Sequence, residues 1–118
     1  MSLKIEITPK PPQNLEEILE KIFWKEPELV KTAKDFLQTI KQWSITETPY
    51  TVDQWTQYTT RNEITQSTYH NMLKRLKRAG MITKTYNKGR GKHELRLNNE
   101  FSEILDQISG IWKEFLKS

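Results

Sequence analysis

Cysteine is absent from the 118 residues of this sequence, and histidine occurs only at His70 and His93. Without cysteine the chain can form no disulfide bond and offers no thiolate to a metal ion. The two histidines lie far apart along the chain, and no carboxylates accompany them at the spacing of metal ligands. Glycine-rich phosphate loops, dinucleotide-binding turns and nucleophile elbows are missing as well. We therefore predict no enzymatic activity, no bound metal and no cofactor.

Long apolar runs are also missing. No stretch approaches the ~20 residues needed to cross a bilayer, and the first residues lack the apolar core of a secretory signal. Only 35% of the residues are hydrophobic, which suits one small domain with a thin core. We therefore expect a soluble cytoplasmic protein with no membrane partner, part of whose apolar surface is covered by another protein chain.

Positive charge is concentrated in the centre of the chain. Residues 61–98 contain ten Lys or Arg and only two acids, whereas residues 1–60 and residues 99–118 each carry a net charge of −2. An ordinary solvated surface has interspersed charges rather than segregated ones. The segregation therefore predicts a polyanionic partner for the central segment.

Apolar spacing and capping residues together predict five helices and one hairpin. The predicted helices cover residues 15–25, 27–43, 52–60, 65–79 and 101–116, and the predicted strands cover residues 3–7, 81–86 and 93–98. Asn62 is expected to adopt left-handed backbone geometry in the turn before the fourth helix. The predicted fold class is α+β, mainly α-helical with a small β-hairpin.

The fourth helix, within the run ITQSTYHNMLKRLKRAGMI, has two chemically different sides. On a helical wheel the apolar residues fall together and predict a buried side of Tyr69, Met72, Leu73 and Leu76. The opposite side begins with short hydrogen-bonding side chains and ends with long cations, a gradient that suits a helix lying in a DNA groove. The candidate DNA-binding residues here are Thr65, Gln66, Ser67, Thr68, His70, Asn71, Lys74, Arg75 and Arg78. An ordinary solvated basic face is the alternative interpretation.

The predicted hairpin turns through NKGRGK, residues 87–92, which contains three cations and two glycines. The cations Lys88, Arg90 and Lys92 are candidate DNA-binding residues, because a cationic tip can follow a phosphate backbone or enter the minor groove. Exposed hairpin tips are also polar and glycine-rich without such a role. Since the hairpin directly follows the basic helix, we expect both cationic clusters on one side of the domain.

The run ITQSTYHNMLKRLKRAGMITK resembles the third helix and first wing strand of winged helix-turn-helix regulators such as the MarR-like and PadR-like families. The matching positions are Thr65, Ser67, Thr68, Leu73, Leu76, Gly80, Met81 and Ile82, and KGRGKHELRLN resembles the wing and its return strand. The resemblance implies binding of double-stranded DNA, with the third helix in the major groove and the wing beside it. It also implies base-facing positions at Gln66, Ser67, Thr68 and Asn71, and phosphate or minor-groove contacts at Arg75 and Arg90.

The last predicted helix repeats apolar residues at three- and four-residue spacing over five turns. These residues are Phe101, Ile104, Leu105, Ile108, Ile111, Trp112 and Phe115. Packing on its own domain accounts for the first of them, but the later ones have little protein left to cover them. We therefore expect a homodimer interface here. A dimer would place two reading helices about one DNA turn apart, which suits a palindromic site.

The predicted organisation is an N-terminal arm and helix over residues 1–27, a winged helix-turn-helix domain over 28–98 and a C-terminal dimerisation helix over 99–118. The predicted function is sequence-specific binding of double-stranded DNA by a homodimeric transcriptional regulator associated with the nucleoid. The alternative is a winged-helix interaction adaptor in a replication, plasmid-partition or transcription complex. RNA binding is a third interpretation, with Tyr50, Tyr58 and Tyr86 as the candidate stacking residues. The sequence identifies no small-molecule effector.

Overall fold

One antiparallel hairpin and a series of helices make up the fold. The computed structural model describes residues 11–44 and 50–117. Within these residues the elements are α1 (Leu15–Ile22), α2 (Val30–Ser44), α3 (Trp55–Asn62), α4 (Gln66–Arg78), β1 (Ile82–Asn87), β2 (Lys92–Leu97) and α5 (Glu100–Lys117). The predicted class, mainly α-helical with a small β-hairpin, is confirmed, and each described boundary lies within three residues of its predicted place. The predicted strand over residues 3–7 lies outside the described residues.

Capping residues set where the helices begin. The Asn14 side chain accepts a hydrogen bond from the Glu17 backbone N–H at 2.9 Å, which satisfies one of the unpaired donors at the start of α1. Pro27 opens a 3-10 turn, Pro27–Leu29, that leads directly into α2, because proline fits a first turn where its missing N–H is not needed. A second 3-10 turn, Val52–Gln54, precedes α3. Two of the predicted helices therefore begin as 3-10 turns.

The core is built around the apolar stripe of α2. The buried residues of this stripe are Val30, Ala33, Phe36, Leu37 and Ile40. The Phe36 ring stands edge-on to Tyr50, Tyr58 and Tyr69, with ring centroids 5.4, 5.1 and 5.6 Å away, the geometry that aromatic pairs prefer. Buried side chains of α1 belong to the same cluster. The first helix therefore packs on the same core as the residues that follow it.

Two hydrogen bonds within this aromatic cluster fix α3 and α4 on the core. The hydroxyls of Tyr50 and Tyr69 lie 2.7 Å apart, and the Tyr58 hydroxyl donates to the Asp35 carboxylate at 2.8 Å. Burial raises the pKa of Tyr58 and of Tyr69 above the usual range, so both hydroxyls keep their protons near neutral pH. Because Tyr69 is held on the core side of α4, the opposite side of that helix faces outward.

A turn of three residues, 63–65, connects α3 to α4. Glu63 adopts left-handed geometry with φ of 55°. Its backbone N–H donates to carbonyls at the end of α3. The prediction that Asn62 would take the left-handed geometry is wrong by one residue. Asn62 stays helical, with its side-chain amide donating to the Tyr58 carbonyl at 2.9 Å. The left-handed position therefore falls on a residue that, unlike glycine, is strained there.

The hairpin is attached to the chain segment that precedes α3. β1 and β2 pair antiparallel, from Ile82 opposite Leu97 at one end to Asn87 opposite Lys92 at the tip. The Leu95 N–H donates to the Tyr50 carbonyl at 2.9 Å. This contact joins β2 to the aromatic core.

α5 projects from the rest of the molecule. It begins where the Phe101 N–H donates to the Gly80 carbonyl at 2.9 Å, and none of its residues is buried. The Cα radius of gyration, 16.0 Å, exceeds the roughly 13 Å typical of a compact chain of this length. None of the described helices is both long and apolar enough to cross a membrane.

Candidate nucleic-acid interface

The outward side of α4 is exposed from one end of the helix to the other. The four residues predicted to face the core are all buried there: Tyr69, Met72, Leu73 and Leu76. On the opposite side Ser67, Asn71, Lys74 and Arg78 are exposed. The helix contains no acidic residue. The predicted orientation is therefore confirmed, and the outward surface of the helix is entirely neutral or cationic.

The start of α4 is stabilised by its own polar side chains. The Thr65 hydroxyl accepts from the Thr68 backbone N–H at 3.1 Å and lies 2.9 Å from the Thr68 hydroxyl, so the predicted cap is confirmed. The His70 ring donates through Nδ1 to the Gln66 carbonyl at 2.9 Å. Gln66 and Ser67 face solvent. Five of the predicted contact residues lie at the start of α4. The side chains of three of them, Thr65, Thr68 and His70, therefore also form hydrogen bonds within the helix.

Four predicted contact residues come together on α4 between its middle and its end. Asn71, Lys74, Arg75 and Arg78 line one shallow recess of about 160 Å³. The fifth lining residue is Glu26, from the connection between α1 and α2. The recess therefore combines an amide and three cations with one acid contributed from another part of the chain.

The acid in this recess is bound to Arg75. The Arg75 guanidinium donates from Nε to Glu26 Oε2 at 2.9 Å and from Nη2 to Glu26 Oε1 at 3.0 Å. Such a two-point pair fixes both side chains in direction as well as distance. Arg75, predicted as a phosphate or minor-groove contact, is therefore directed towards the protein in this structure, and a phosphate would have to compete with Glu26 for it.

Lys77 on α4 and Lys84 on β1 are two further cations near the junction of the helix and the hairpin. Partial burial, and then the charge of Lys84 on β1, lower the pKa of Lys77 on α4. Two cations that lie close enough to affect one another favour an anion between them. Neither lysine is among the residues singled out as contacts from the sequence, although one belongs to the basic helix and the other to the first strand of the hairpin.

The hairpin tip is ordered by Asn87. Its side-chain oxygen accepts from the N–H groups of Gly89 and Arg90 at 3.0 and 3.3 Å, and its amide donates to Glu94 at 3.1 Å. Glu94 is only 2% exposed and also accepts from Arg96 at 3.0 Å. Lys88 and Arg90 are therefore carried on a turn of defined shape rather than on a flexible loop.

Lys92 lies away from the recess of α4. Its Nζ atom is 3.1 Å from an Asp53 carboxylate oxygen near the start of α3. A hydrogen bond from the Thr51 hydroxyl, followed by the contacts with Lys92, lowers the pKa of Asp53. Of the three cations around the hairpin tip, Lys92 is therefore directed towards the start of α3 and not towards the recess of α4.

Comparison with known proteins gives a family but no activity. A protein-family model described as an archaeal family matches residues 11–117. The chain belongs to this archaeal family. No curated protein and no solved structure matches the chain.

For this archaeal-family protein, sequence reasoning missed the residues that lie far apart in the chain. Glu26 and Arg75 are 49 positions apart, and nothing in the local pattern of either one indicates the pair. Glu94 alternates with apolar neighbours in its strand, so the pattern alone places it on the solvent side. Within residues 11–44 and 50–117, no three His, Asp or Glu side chains come together as metal ligands.

Proposed function

We propose that this protein binds double-stranded DNA as a homodimeric, sequence-specific transcriptional regulator of the winged helix-turn-helix type. In this proposal α4 lies in the major groove and the hairpin contacts the backbone or minor groove. The observation that carries the proposal is the outward side of α4, which combines exposed Ser67, Asn71, Lys74 and Arg78 with no acid in the helix. Amide side chains pair with adenine, and long cations reach flanking phosphates.

The arrangement of elements supports the same function. α3 and α4 are joined by three residues, which is the length of connection found in helix-turn-helix units. The hairpin follows α4 directly, since α4 ends at Arg78 and β1 begins at Ile82. One continuous segment, residues 55–97, would therefore supply both the helix that enters the major groove and the wing.

Burial of two tyrosines argues against recognition of single-stranded RNA. Tyr50 and Tyr58 are each 2% exposed, so neither can stack on a base. Tyr86 is exposed, but its ring centroid lies 4.9 Å from that of His93. Readers of single strands need several exposed aromatic rings along one surface, and these three tyrosines do not supply one.

The interaction adaptor is the second candidate function. The observation that favours it is the exposed apolar side of α5, where Ile111 is 72% and Phe115 is 65% exposed. A contiguous apolar patch of this kind marks a surface that another protein covers. An adaptor would bind its protein partner through α5 whether or not DNA is present.

Salt dependence of binding tests the DNA proposal. If Lys74, Lys77, Arg78 and Lys84 each neutralise one phosphate, log Kobs should fall with log salt with a slope of about −4 per subunit. Fluorescence anisotropy with a random 30-base-pair duplex between about 50 and 200 mM NaCl measures this slope. A flat salt dependence, or no measurable binding at the lowest salt concentration, would reject DNA binding and leave the adaptor.

Removing the acid beside α4 should strengthen binding. We expect Glu26→Gln to tighten the affinity for random duplex DNA about 3- to 10-fold and to steepen the salt slope by about 1 per subunit, because Arg75 is released to a phosphate. The matched control is Glu103→Gln, which makes the same charge change on α5 rather than beside Arg75. Equal gains in the two variants would mean that only net charge matters and that Arg75 makes no contact.

A further inference from the structure

Two unfilled apolar features meet at the base of α5. One is the exposed apolar stripe of the helix itself. The other is a groove of about 560 Å³ between α1, α2, β2 and the start of α5. The apolar residues that line the groove are Leu15, Ile18, Leu37, Met81, Leu97 and Phe101. Since Phe101 belongs to both features, the stripe runs directly into the groove.

We propose that two copies of this chain pair through α5 in antiparallel orientation, so that the end of each α5 fills the groove of the other copy. This inference rests on the homodimer of the proposed function and names the surface that forms it. The other copy is the occupant that fits, because one interface then covers both apolar features. A parallel pair would bring the two grooves to the same end and leave them empty.

The spacing of the stripe suits an antiparallel register. Residues 101, 104, 108, 111 and 115 repeat at alternating steps of three and four, the pattern of a two-helix seam. A two-fold axis at residues 109–110 sets Ile108 against Ile111 of the second copy, and Ile104 against Phe115 of the second copy. In this register Ile104, Ile108, Ile111 and Phe115 each face another apolar residue, while Phe101 belongs to the groove.

Two stacked aromatic rings near the C-terminal end of α5 form one compact apolar group. The rings of Trp112 and Phe115 already stack on one another, with centroids 5.5 Å apart and an angle of 21° between their planes. In the proposed register these rings lie one to two turns from Phe101 of the opposite copy. They therefore reach the mouth of the groove, where Leu15 is 37% and Leu97 is 42% exposed.

The area available is enough for a specific interface. The large exposed side chains of α5 are Leu105, Ile108, Ile111, Trp112, Phe115 and Leu116. Their exposed fractions correspond to roughly 600 Å² of apolar surface per copy, if large side chains present about 150–250 Å² each. Two copies would bury about 1,200 Å² before the groove is counted, which is the lower limit of a standard stable interface.

Point variants test the surface in the absence of DNA. We expect Ile111→Glu on the stripe and Leu15→Lys at the groove to raise the dimer dissociation constant at least tenfold in analytical ultracentrifugation. The matched controls are Lys113→Glu on the polar side of α5 and Glu20→Lys on the exposed side of α1, which should leave it unchanged. Because Ile111 and Leu15 are already exposed in a single copy, circular dichroism should show unaltered helix content in both variants.

The absence of cysteine from the sequence makes the register directly measurable. In the proposed pairing, a mixture of Ile104→Cys and Phe115→Cys chains should form a mixed disulfide. Either variant alone should not crosslink, because its two cysteines would be about 16 Å apart along the helices, beyond the reach of a disulfide.

Three outcomes would overturn the inference. A monomeric wild type would reject both this interface and the homodimer of the proposed function, whereas the salt titration would still decide DNA binding. A dimer that crosslinks through Ile104→Cys alone would reject the antiparallel register. A dimer unaffected by Leu15→Lys would reject filling of the groove. In the last two cases the proposed homodimeric DNA-binding protein would stand.

Discussion

Replacing Lys74 and Arg78 together with alanine is expected to weaken binding to random duplex DNA about 100-fold near 0.1 M salt. Both side chains are exposed on the outward side of α4 and line the same recess. Their loss removes two phosphate contacts from each subunit, so the salt slope should become shallower by about 2 per subunit. Anisotropy titrations at several salt concentrations give both quantities from one set of samples.

The control for this variant is Lys113→Ala combined with Lys117→Ala. It removes the same number of charges from α5, away from the proposed DNA-binding surface. We expect its affinity to change less than threefold, because long-range charge is screened beyond the ~10 Å Debye length at 0.1 M salt. A similar loss in both double variants would show that binding responds to net charge alone. No loss in the α4 variant would remove α4 from the interface.

Features fixed by short stretches of sequence were predictable. The cap at Thr65, the buried side of α4 and the glycine after its end all follow from residues within a few positions of one another. Helix periodicity and capping chemistry act over one or two turns. This is why the orientation of α4 could be predicted before any tertiary contact was known.

Features fixed by tertiary packing were not predictable from local pattern. The pairing of Arg75 with Glu26 needs the α1–α2 connection to lie against α4, and that placement follows from the shared core. The pairing of Lys92 with Asp53 likewise joins the hairpin to the start of α3. Both pairs redirect cations that a local reading assigns to DNA. Predicted contacts on a folded basic surface therefore depend on which acids the fold brings beside them.

The left-handed turn position shows the limit of residue preference. Asn62 is the better candidate by type, since asparagine tolerates left-handed geometry more readily than glutamate. Asn62 instead remains the last residue of α3, with its side-chain amide donating to the Tyr58 carbonyl one turn earlier. The next residue, Glu63, takes the left-handed conformation instead. Residue preference alone therefore does not identify which of the two neighbours carries the strain.

Replacing Gly80 with alanine is expected to destabilise the fold by about 3 kcal/mol, from left-handed strain and steric overlap together. Gly80 has φ of 80°, and a Cβ atom there would stand 2.9 Å from the Phe101 nitrogen. The crowded nitrogen is the donor that holds the start of α5 to the Gly80 carbonyl at 2.9 Å. Relief of the overlap would therefore displace α5, so the free energy of unfolding should fall.

Gly110→Ala in α5 is the matched control. A Cβ atom at Gly110 meets nothing within 4 Å, and alanine is favoured over glycine inside a helix by roughly 0.5–1 kcal/mol. Urea denaturation at one protein concentration should therefore move the midpoint down for Gly80→Ala and slightly up for Gly110→Ala. Holding the concentration constant matters because association stabilises the folded state. Equal midpoints for both variants would mean that the junction between α4 and α5 is loose, and α5 would then have no fixed direction in which to present its apolar side.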